Sequence, residues 1–383
     1  MNKTVNFEHA VAKVYGFDNG TEVAEYQVVV SLNNPLLNYQ QQLEAILDAF
    51  AGVKQDLQKD GQQVSVVFKR FFLSDASNQA DMLMNYEMEA PEGAMSIIQQ
   101  APLNGTKIAL WAYLATNMQT RALASGLCEA SHGGFRHLWL ASASNNAKDS
   151  ERQTRILLND YVMQLAGEGC SLADNCIRTW FFVNDVDLNY NGVVKARNEV
   201  FITQNLTDHT HFIASTGIGG RQADARVLSQ MDAYAIAGIR KEQIHYLYAP
   251  SHLNRTSDYG VSFERGTAVD YADRRHVFIS GTASINNKGE VMYAKDVENQ
   301  TRRMWDNVEA LLAEAECTYD DVPMLIVYLR DVADYDVVSS LFAERFPKKP
   351  LVIVHAPVCR TGWLVEMECM AVKAVTNPAL PNF

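Results

Sequence analysis

One strand–helix–strand plan recurs three times along the 383 residues, and this recurrence limits the fold more than any single motif does. The clearest pair is His137-Leu138-Trp139-Leu140-Ala141-Ser142-Ala143-Ser144 and His276-Val277-Phe278-Ile279-Ser280-Gly281-Thr282-Ala283. Each is an apolar strand opening into small residues. Each precedes an amphipathic helix, marked by Ile156, Leu157, Tyr161 and Leu165 in the middle copy and by Met304, Val308, Leu311 and Leu312 in the last. A β-rich run ending in aspartate then follows, Thr179–Asp185 and Leu325–Asp331. The N-terminal third repeats the plan more faintly. Tyr26 to Leu32 reads as a strand, Leu43, Ile46, Leu47, Phe50 and Val53 as one helix face, and Val66 to Asp75 as the run ending in aspartate. Closing strands are expected at Lys107–Tyr113 and Leu364–Met370. Asp75 precedes Trp111 by 36 positions, and Asp331 precedes Met367 by 36.

The copies are expected over 1–125, 126–245 and 246–383. No low-complexity linker separates them, so they should abut as one rigid assembly. The strand-end aspartates suit N-caps or turns better than catalysis. The stretch from about Arg240 to Arg274 departs from the plan. It holds Tyr246, Tyr248, His252, Asn254, Arg255, Tyr259, Phe263, Arg265 and Tyr271, more polar and aromatic chemistry than a connector needs.

Charge and cysteine usage exclude several classes. The formal net charge is −12, with no basic stripe to suit a nucleic acid. No apolar run approaches the roughly 20 residues that cross a bilayer. The first residues carry Glu8 and no apolar signal core, so the expectation is a cytoplasmic protein with no membrane partner. The six cysteines, Cys128, Cys170, Cys176, Cys317, Cys359 and Cys369, form no C-x-x-C pair and read as buried thiols. His132-Gly133-Gly134, His209 and His211 lack carboxylate or cysteine company at ligand spacing, so no metal is expected.

From about His276 to Ala374 the chain resembles the RidA/YjgF family. The matching residues are Ile279-Ser280-Gly281-Thr282, Gln300 with Asn307-Val308, Tyr328-Leu329-Arg330-Asp331, and Glu366-Met367-Glu368-Cys369-Met370-Ala371-Val372. The resemblance implies an α+β fold like that of the small bacterial chorismate mutases, which assembles as trimers with clefts between subunits. Three tandem copies would then form an intrachain pseudo-trimer, with at most weak homo-oligomerisation beyond it. The family's deaminases hold their substrate carboxylate with an arginine after Phe-Pro-Ala. Here the stretch reads Phe346-Pro347-Lys348-Lys349-Pro350, with lysine in that place, and lysine cannot make the same two-pronged contact.

A longer stretch, roughly 175 to 372, resembles the chorismatases, a branch of the same superfamily that removes pyruvate from chorismate. The matching segments are Ser215-Thr216-Gly217-Ile218-Gly219-Gly220-Arg221, Tyr259 to Thr267, Ile279 to Ile285, and Val358-Cys359-Arg360-Thr361-Gly362-Trp363-Leu364-Val365-Glu366. The resemblance implies that Glu366 is the catalytic acid. It also implies that a cysteine at 359 goes with 3-hydroxybenzoate rather than a dihydroxycyclohexadiene carboxylate as product.

The chemistry explains why such residues are needed. Chorismate is a dicarboxylate with an enol ether, and releasing pyruvate requires a proton on the enolpyruvyl methylene carbon. A carboxyl group can deliver it near neutral pH if burial raises its pKa from about 4.3 toward 6–7. By strand alternation Glu366 shares a face with Leu364 and Glu368, and the neighbouring charge would raise the pKa further. Alone, two glutamates on a strand read as a solvated face. The Cys-Arg-x-Gly-Trp-Leu-Val-Glu context reverses that reading.

Arg221, Arg265 and Arg360, each beside glycine or small residues, are the expected carboxylate clamps, with Arg221 lent by the middle copy across an interface. Gly217, Tyr259, Cys359, Ala283 and Ser284 would contact the substrate and shape its pocket, and Phe263 could wall it or belong to the core. Cys359 has no fixed histidine partner, so it reads as a wall rather than a nucleophile. The expectation is therefore a chorismate-cleaving enzyme without metal or cofactor, acting on a small anionic substrate. An enamine/imine deaminase and a non-catalytic binder of small acids are the alternatives. The last copy should supply one competent cleft, because the closing strands at Ile108–Trp111 and Ala233–Ile236 hold no acid.

Overall fold

The repeat's β-branched and aromatic runs form sheets, and its apolar-striped segments form helices that cover one face of each. The computed structural model describes residues 2–58 and 62–383. The first copy runs β1 (Asn2–Asn6), β2 (Ala10–Phe17), β3 (Glu25–Leu32), α1 (Tyr39–Leu57), β4 (Val64–Leu73), α2 (Ala76–Glu89), β5 (Ala94–Gln99) and β6 (Ile108–Thr116). The second runs β7 (Gln119–Ala122), β8 (Cys128–His132), β9 (Phe135–Ser144), α3 (Ser150–Gly167), a single turn α4 (Leu172–Asn175), β10 (Cys176–Val183), α5 (Val186–Thr203), β11 (Ala214–Gly219) and β12 (Ser229–Ala237). The third runs β13 (Ile244–Leu247), β14 (Gly266–Asp270), β15 (Arg274–Ala283), α6 (Val297–Glu314), β16 (Met324–Leu329), α7 (Tyr335–Arg345), β17 (Leu351–His355) and β18 (Val365–Ala374).

The three sheets share one strand order: β1-β2-β3-β6-β4-β5, β7-β8-β9-β12-β10-β11 and β13-β14-β15-β18-β16-β17. β4–β5, β10–β11 and β16–β17 pair parallel, as a crossover helix between them requires, and the remaining pairs are antiparallel. The class is α+β, with three tandem copies in one chain. Sheets follow with almost no linker: β6 ends at Thr116 and β7 begins at Gln119. The strand-end aspartates occupy N-cap positions, Asp75 before α2, Asp185 before α5 and Asp331 before a 3-10 turn that leads into α7.

Strand register fixes which residues correspond. Leu73 pairs Ile108, Val183 pairs Ser229 and Leu329 pairs Val365, so Glu366 corresponds to Ala109 and Gln230, and Glu368 to Trp111 and Asp232. This corrects the equal spacing of 36, which matched Trp111 to Met367. The connection before β18 is one residue longer, so the true counterpart of Trp111 is Glu368. It also moves the middle copy's counterpart from Ala233–Ile236 to Gln230, which is likewise not an acid.

Each sheet's outermost parallel strand leans on the next copy: β5 on β9, β11 on β15, β17 on β3. This cyclic arrangement closes the chain on itself around a pseudo-threefold axis. The helix-facing sides of copies one and two form separate cores, Leu43, Ile46 and Phe50 against Phe71 and Leu110 in copy one, and Leu158, Tyr161 and Leu165 against Phe181 and Ala233 in copy two, while that of copy three runs into the centre. The other faces meet in the middle through Phe68, Trp111, Trp139, Trp180, Tyr234 and Phe278. Arg70 is fully buried among these rings and bonds Asp232 of the middle copy at 2.8 Å. The irregular stretch is not a connector between copies. Its long part, residues 248–265, is the loop of the β13–β14 hairpin inside the third sheet.

Candidate functional site

The interface between copies two and three holds a narrow, partly open cavity of about 30 Å³. Three groups of middle-copy and loop residues build one side: Tyr190 and Arg197 from α5, Ser215 and Gly217 from β11, and Tyr259, Val261, Phe263 and Arg265 from the long hairpin loop. The third copy closes the other side with Gly281, Ala283 and Ile285 around the end of β15, Cys359, Arg360 and Trp363 from the loop before β18, and Glu366. The loop thus contributes four wall residues, which is why so short a sheet edge carries so long an excursion.

Glu366 is 3% exposed, and no hydrogen bond to its carboxyl occurs among the described residues. Burial and the nearby charge of Glu368 push its pKa up to about 8, against the opposing pull of Arg178 and Arg265. Two local features hold the carboxyl in place. A bulge interrupts β15–β18 pairing between Ile279 and Thr282, opposite Glu368. Gly281 lies in that bulge. A Cβ there would come within 2.9 Å of the Glu366 Cδ and collide with Oε1, so only glycine leaves the carboxyl its room.

Three arginines surround the cavity in different states. Arg265, 4% exposed, is anchored by the Asn254 carbonyl and its side-chain oxygen, at 3.0–3.2 Å. Arg360 is exposed at the rim, stacked 5.0 Å from the Tyr259 ring and 5.5 Å from Trp363. Arg197 is 1% exposed, and its Nε and Nη2 have no hydrogen-bond partner. A buried guanidinium with unused donors is costly, and an anion in the cavity would satisfy it. The buried Tyr259 hydroxyl is also without a partner.

Cys359 and Tyr190 are paired. Burial, together with the Glu366 charge, pushes the thiol up to about 12, the Tyr190 hydrogen bond opposing. The thiol is therefore neutral, a wall and not a nucleophile. Gly217 lets the Tyr190 ring approach, since a Cβ there would lie 2.7 Å from its Cε2.

The structure brings together Glu366, Arg265, Arg360, Tyr259, Cys359, Ala283 and Gly217, and separates two other expected residues. Arg221 does not reach this cavity. β11 ends at Gly219, and the backbone of Arg221 then pairs with Gln99 of the first copy, at 2.8 and 3.2 Å. Its side chain lines another cleft, with Ser74, Val183, Asp185, Asp187 and His355. Ser284 is fully buried and donates to the Met292 carbonyl at 3.0 Å; alternation turns it away from the face that Ala283 and Ile285 share.

The middle copy's cation is instead Arg197, which the sequence reading missed together with Tyr190. A signal existed: Arg197 interrupts the apolar stripe of Val193, Val200 and Phe201 on α5. Lys349, from the stretch where the deaminase arginine was sought, lies outside this cavity and donates to the Val322 carbonyl at 2.9 Å. Among the described residues no cluster of His, Cys, Asp and Glu could hold a metal ion, and no helix is long and apolar enough to cross a membrane.

Comparison with known proteins is consistent with this geometry. The endoribonuclease L-PSP family matches residues 267–373, the third copy. A RutC family protein of Saccharolobus solfataricus is 31% identical over 100 residues, 26% of this chain and 79% of that protein. The 3-aminoacrylate deaminase RutC of Acinetobacter baylyi is 30% identical over 73 residues, 19% of this chain and 58% of that protein. A crystal structure of a chorismatase superposes with a TM-score of 0.62 at 19% identity, covering 80% of this chain and 93% of that one. Kinship in the third copy shows the family: the chain belongs to the RutC family of the RidA/YjgF superfamily, and its three-copy fold is shared with a chorismatase.

Proposed function

We propose that the protein cleaves chorismate, releasing pyruvate by protonation of the enol ether. The observation that carries this reading is Glu366, a buried carboxyl with a pKa near 8, at the floor of a cavity ringed by Arg197, Arg265 and Arg360. Such an acid keeps its proton at neutral pH, where an ordinary glutamate has lost it.

In this reading the arginines take the two substrate carboxylates, and Arg197 has two donor nitrogens, Nε and Nη2, unspent. Glu366 gives its proton to the methylene carbon, leaving an oxocarbenium ion and a carboxylate. Water captures the ion, and the resulting hemiketal collapses to pyruvate and a dihydroxycyclohexadiene carboxylate. Capture by the neighbouring C4 hydroxyl gives a cyclic ketal instead; cleavage of its C4–O bond, loss of the C3 ring proton and collapse of the hemiketal left on C3 give pyruvate and 3-hydroxybenzoate without added water. The neutral thiol of Cys359, close to Glu366, lies where it can bias that partition. A chorismatase is among the proteins that share this fold, which supports the reading.

The deaminase reading draws on the RutC relative. Against it stands Lys349, turned to a backbone carbonyl outside the cavity. The test is incubation of the purified protein with chorismate, following pyruvate and the ring product, with Glu366→Gln alongside. Pyruvate from the wild type and little from the variant is expected. No pyruvate from either overturns the reading.

A further inference from the structure

Glu368 lies two residues beyond Glu366 on β18, on the same face, yet its surroundings are opposite in kind. Its Oε2 accepts from Arg178 Nη2 at 2.8 Å and from the Thr216 hydroxyl, and its Oε1 accepts from Trp180 Nε1 at 2.8 Å. Arg70 Nη1 stands 3.8 Å from Oε1. Arg178, Thr216 and Trp180 belong to the middle copy and Arg70 to the first, so both other copies converge on this carboxyl of the third. Guanidinium and indole groups only donate, and a carboxyl that accepts on both oxygens is held in its ionised form.

We propose that Glu368 is a positioning residue: an ionised carboxylate, locked by the other two copies, whose fixed negative charge holds the proton on Glu366. The proposal rests on the reading of Glu366 as the acid. The titratable groups around Glu366 are Glu368 on its own strand, Tyr328 on β16, Arg178 on β10, Tyr190 and Arg197 on α5, Tyr259 and Arg265 from the hairpin loop, and Cys359 and Arg360 from the loop before β18. Tyr328, Tyr190 and Cys359 are all pushed up by burial and so stay neutral, which leaves Glu368 and the arginines as the charges that matter. Of these arginines Arg178 is engaged by Glu368 at 2.8 Å, Arg265 is held by Asn254, and Arg197 has no acidic partner among the described residues. The ion pair across the copies thus lets a negative charge persist in a buried place, and Arg178 offsets only part of its effect on Glu366. The register counterparts of the two glutamates, Ala109 with Trp111 and Gln230 with Asp232, do not repeat this pair of acids.

The test needs no substrate. The infrared band of the protonated Glu366 carboxyl is titrated in the purified full chain and assigned by its loss in Glu366→Gln. In Glu368→Gln the midpoint should fall by about one pH unit or more, a tenfold change in the protonation equilibrium. Glu368→Asp, which restores the charge, should recover most of that fall. Where turnover is measured, the alkaline limb of kcat/KM should move down in step. If Glu368→Gln does not fold, the double variant Glu368→Met, Arg178→Met removes the buried pair together, and the midpoint should still fall. An unchanged midpoint in a folded variant overturns the proposal, as does the absence of any band lost in Glu366→Gln at neutral pH. Failure to turn over chorismate would sink the proposed reaction and leave this titration intact.

Discussion

Glu366 is costly to the fold because its carboxyl is buried without a hydrogen bond, and that cost sets two measurable outcomes. Glu366→Gln should lower pyruvate release by roughly 10²–10⁴-fold, the usual contribution of a positioned acid. The wild-type rate should decline as pH rises through about 8, where the proton is lost. The same shift predicts a stability gain. Because the folded pKa exceeds the unfolded one, the stability tied to the proton is complete below the unfolded value and lost as pH rises toward the folded value. The variant has no such loss. Its stability should therefore gain on the wild type's as pH rises from about 5 to about 8, by roughly 1 kcal/mol per pH unit, read as a widening difference in melting temperature. At the anion-binding end, Arg197→Gln should raise KM by roughly 10–100-fold, the worth of a charge-assisted hydrogen bond, and Arg221→Gln should raise it far less. Steady-state kinetics on both variants checks this. The acid was legible in the sequence through its Cys-Arg-x-Gly-Trp-Leu-Val-Glu context. Arg221 misled because a glycine-flanked arginine after a strand shows nothing about where the turn beyond the strand will point.

At the scale of elements, the β15 bulge, the hairpin loop and α5 decide the cavity. Gly281→Ala forces its new methyl into the Glu366 carboxyl, and the backbone around the bulge has little slack because the Gly281 N–H donates to Thr216 Oγ1 at 2.9 Å. The expected outcome is a folded protein with kcat reduced at least about tenfold, since a displacement of about an ångström at the reacting centre costs that much or more. Circular dichroism and kinetics together check it. The hairpin loop was recognisable as functional from its aromatics and arginines, and it does supply Tyr259 and Arg265 to the wall. Its place within the third sheet was not, because β13 is only four residues long, Ile244–Leu247, and a strand that short has no readable period. Ser284 illustrates the same limit: with alternation shifted by a bulge, the face of a given residue depends on where the bulge falls.

At the scale of the molecule, closure depends on charges shared between copies. Arg70 lies at the centre, 4.9–5.4 Å from the rings of Phe68, Trp111, Trp180 and Phe182, and pairs with Asp232. Arg70→Met strands that aspartate and should cost roughly 3–5 kcal/mol, read as a lower urea midpoint. Adding Asp232→Leu should return most of it. The recurrence of strand, helix, strand and terminal aspartate was enough to determine the α+β class, the three copies and the helix-facing cores, because hydrophobic period and capping are local properties. It was also enough to mark Glu366, whose neighbours along the chain carry the resemblance. Arg197, Tyr190, Arg178 and Trp180 came only with the tertiary structure. They lie about 170–190 positions from Glu366 and Glu368, and each looks locally like a stray polar or aromatic residue in an apolar stripe. The cavity and the proton on its acid arise where two copies meet, and register and packing across that interface are set by the closure of all three sheets, which no local pattern encodes.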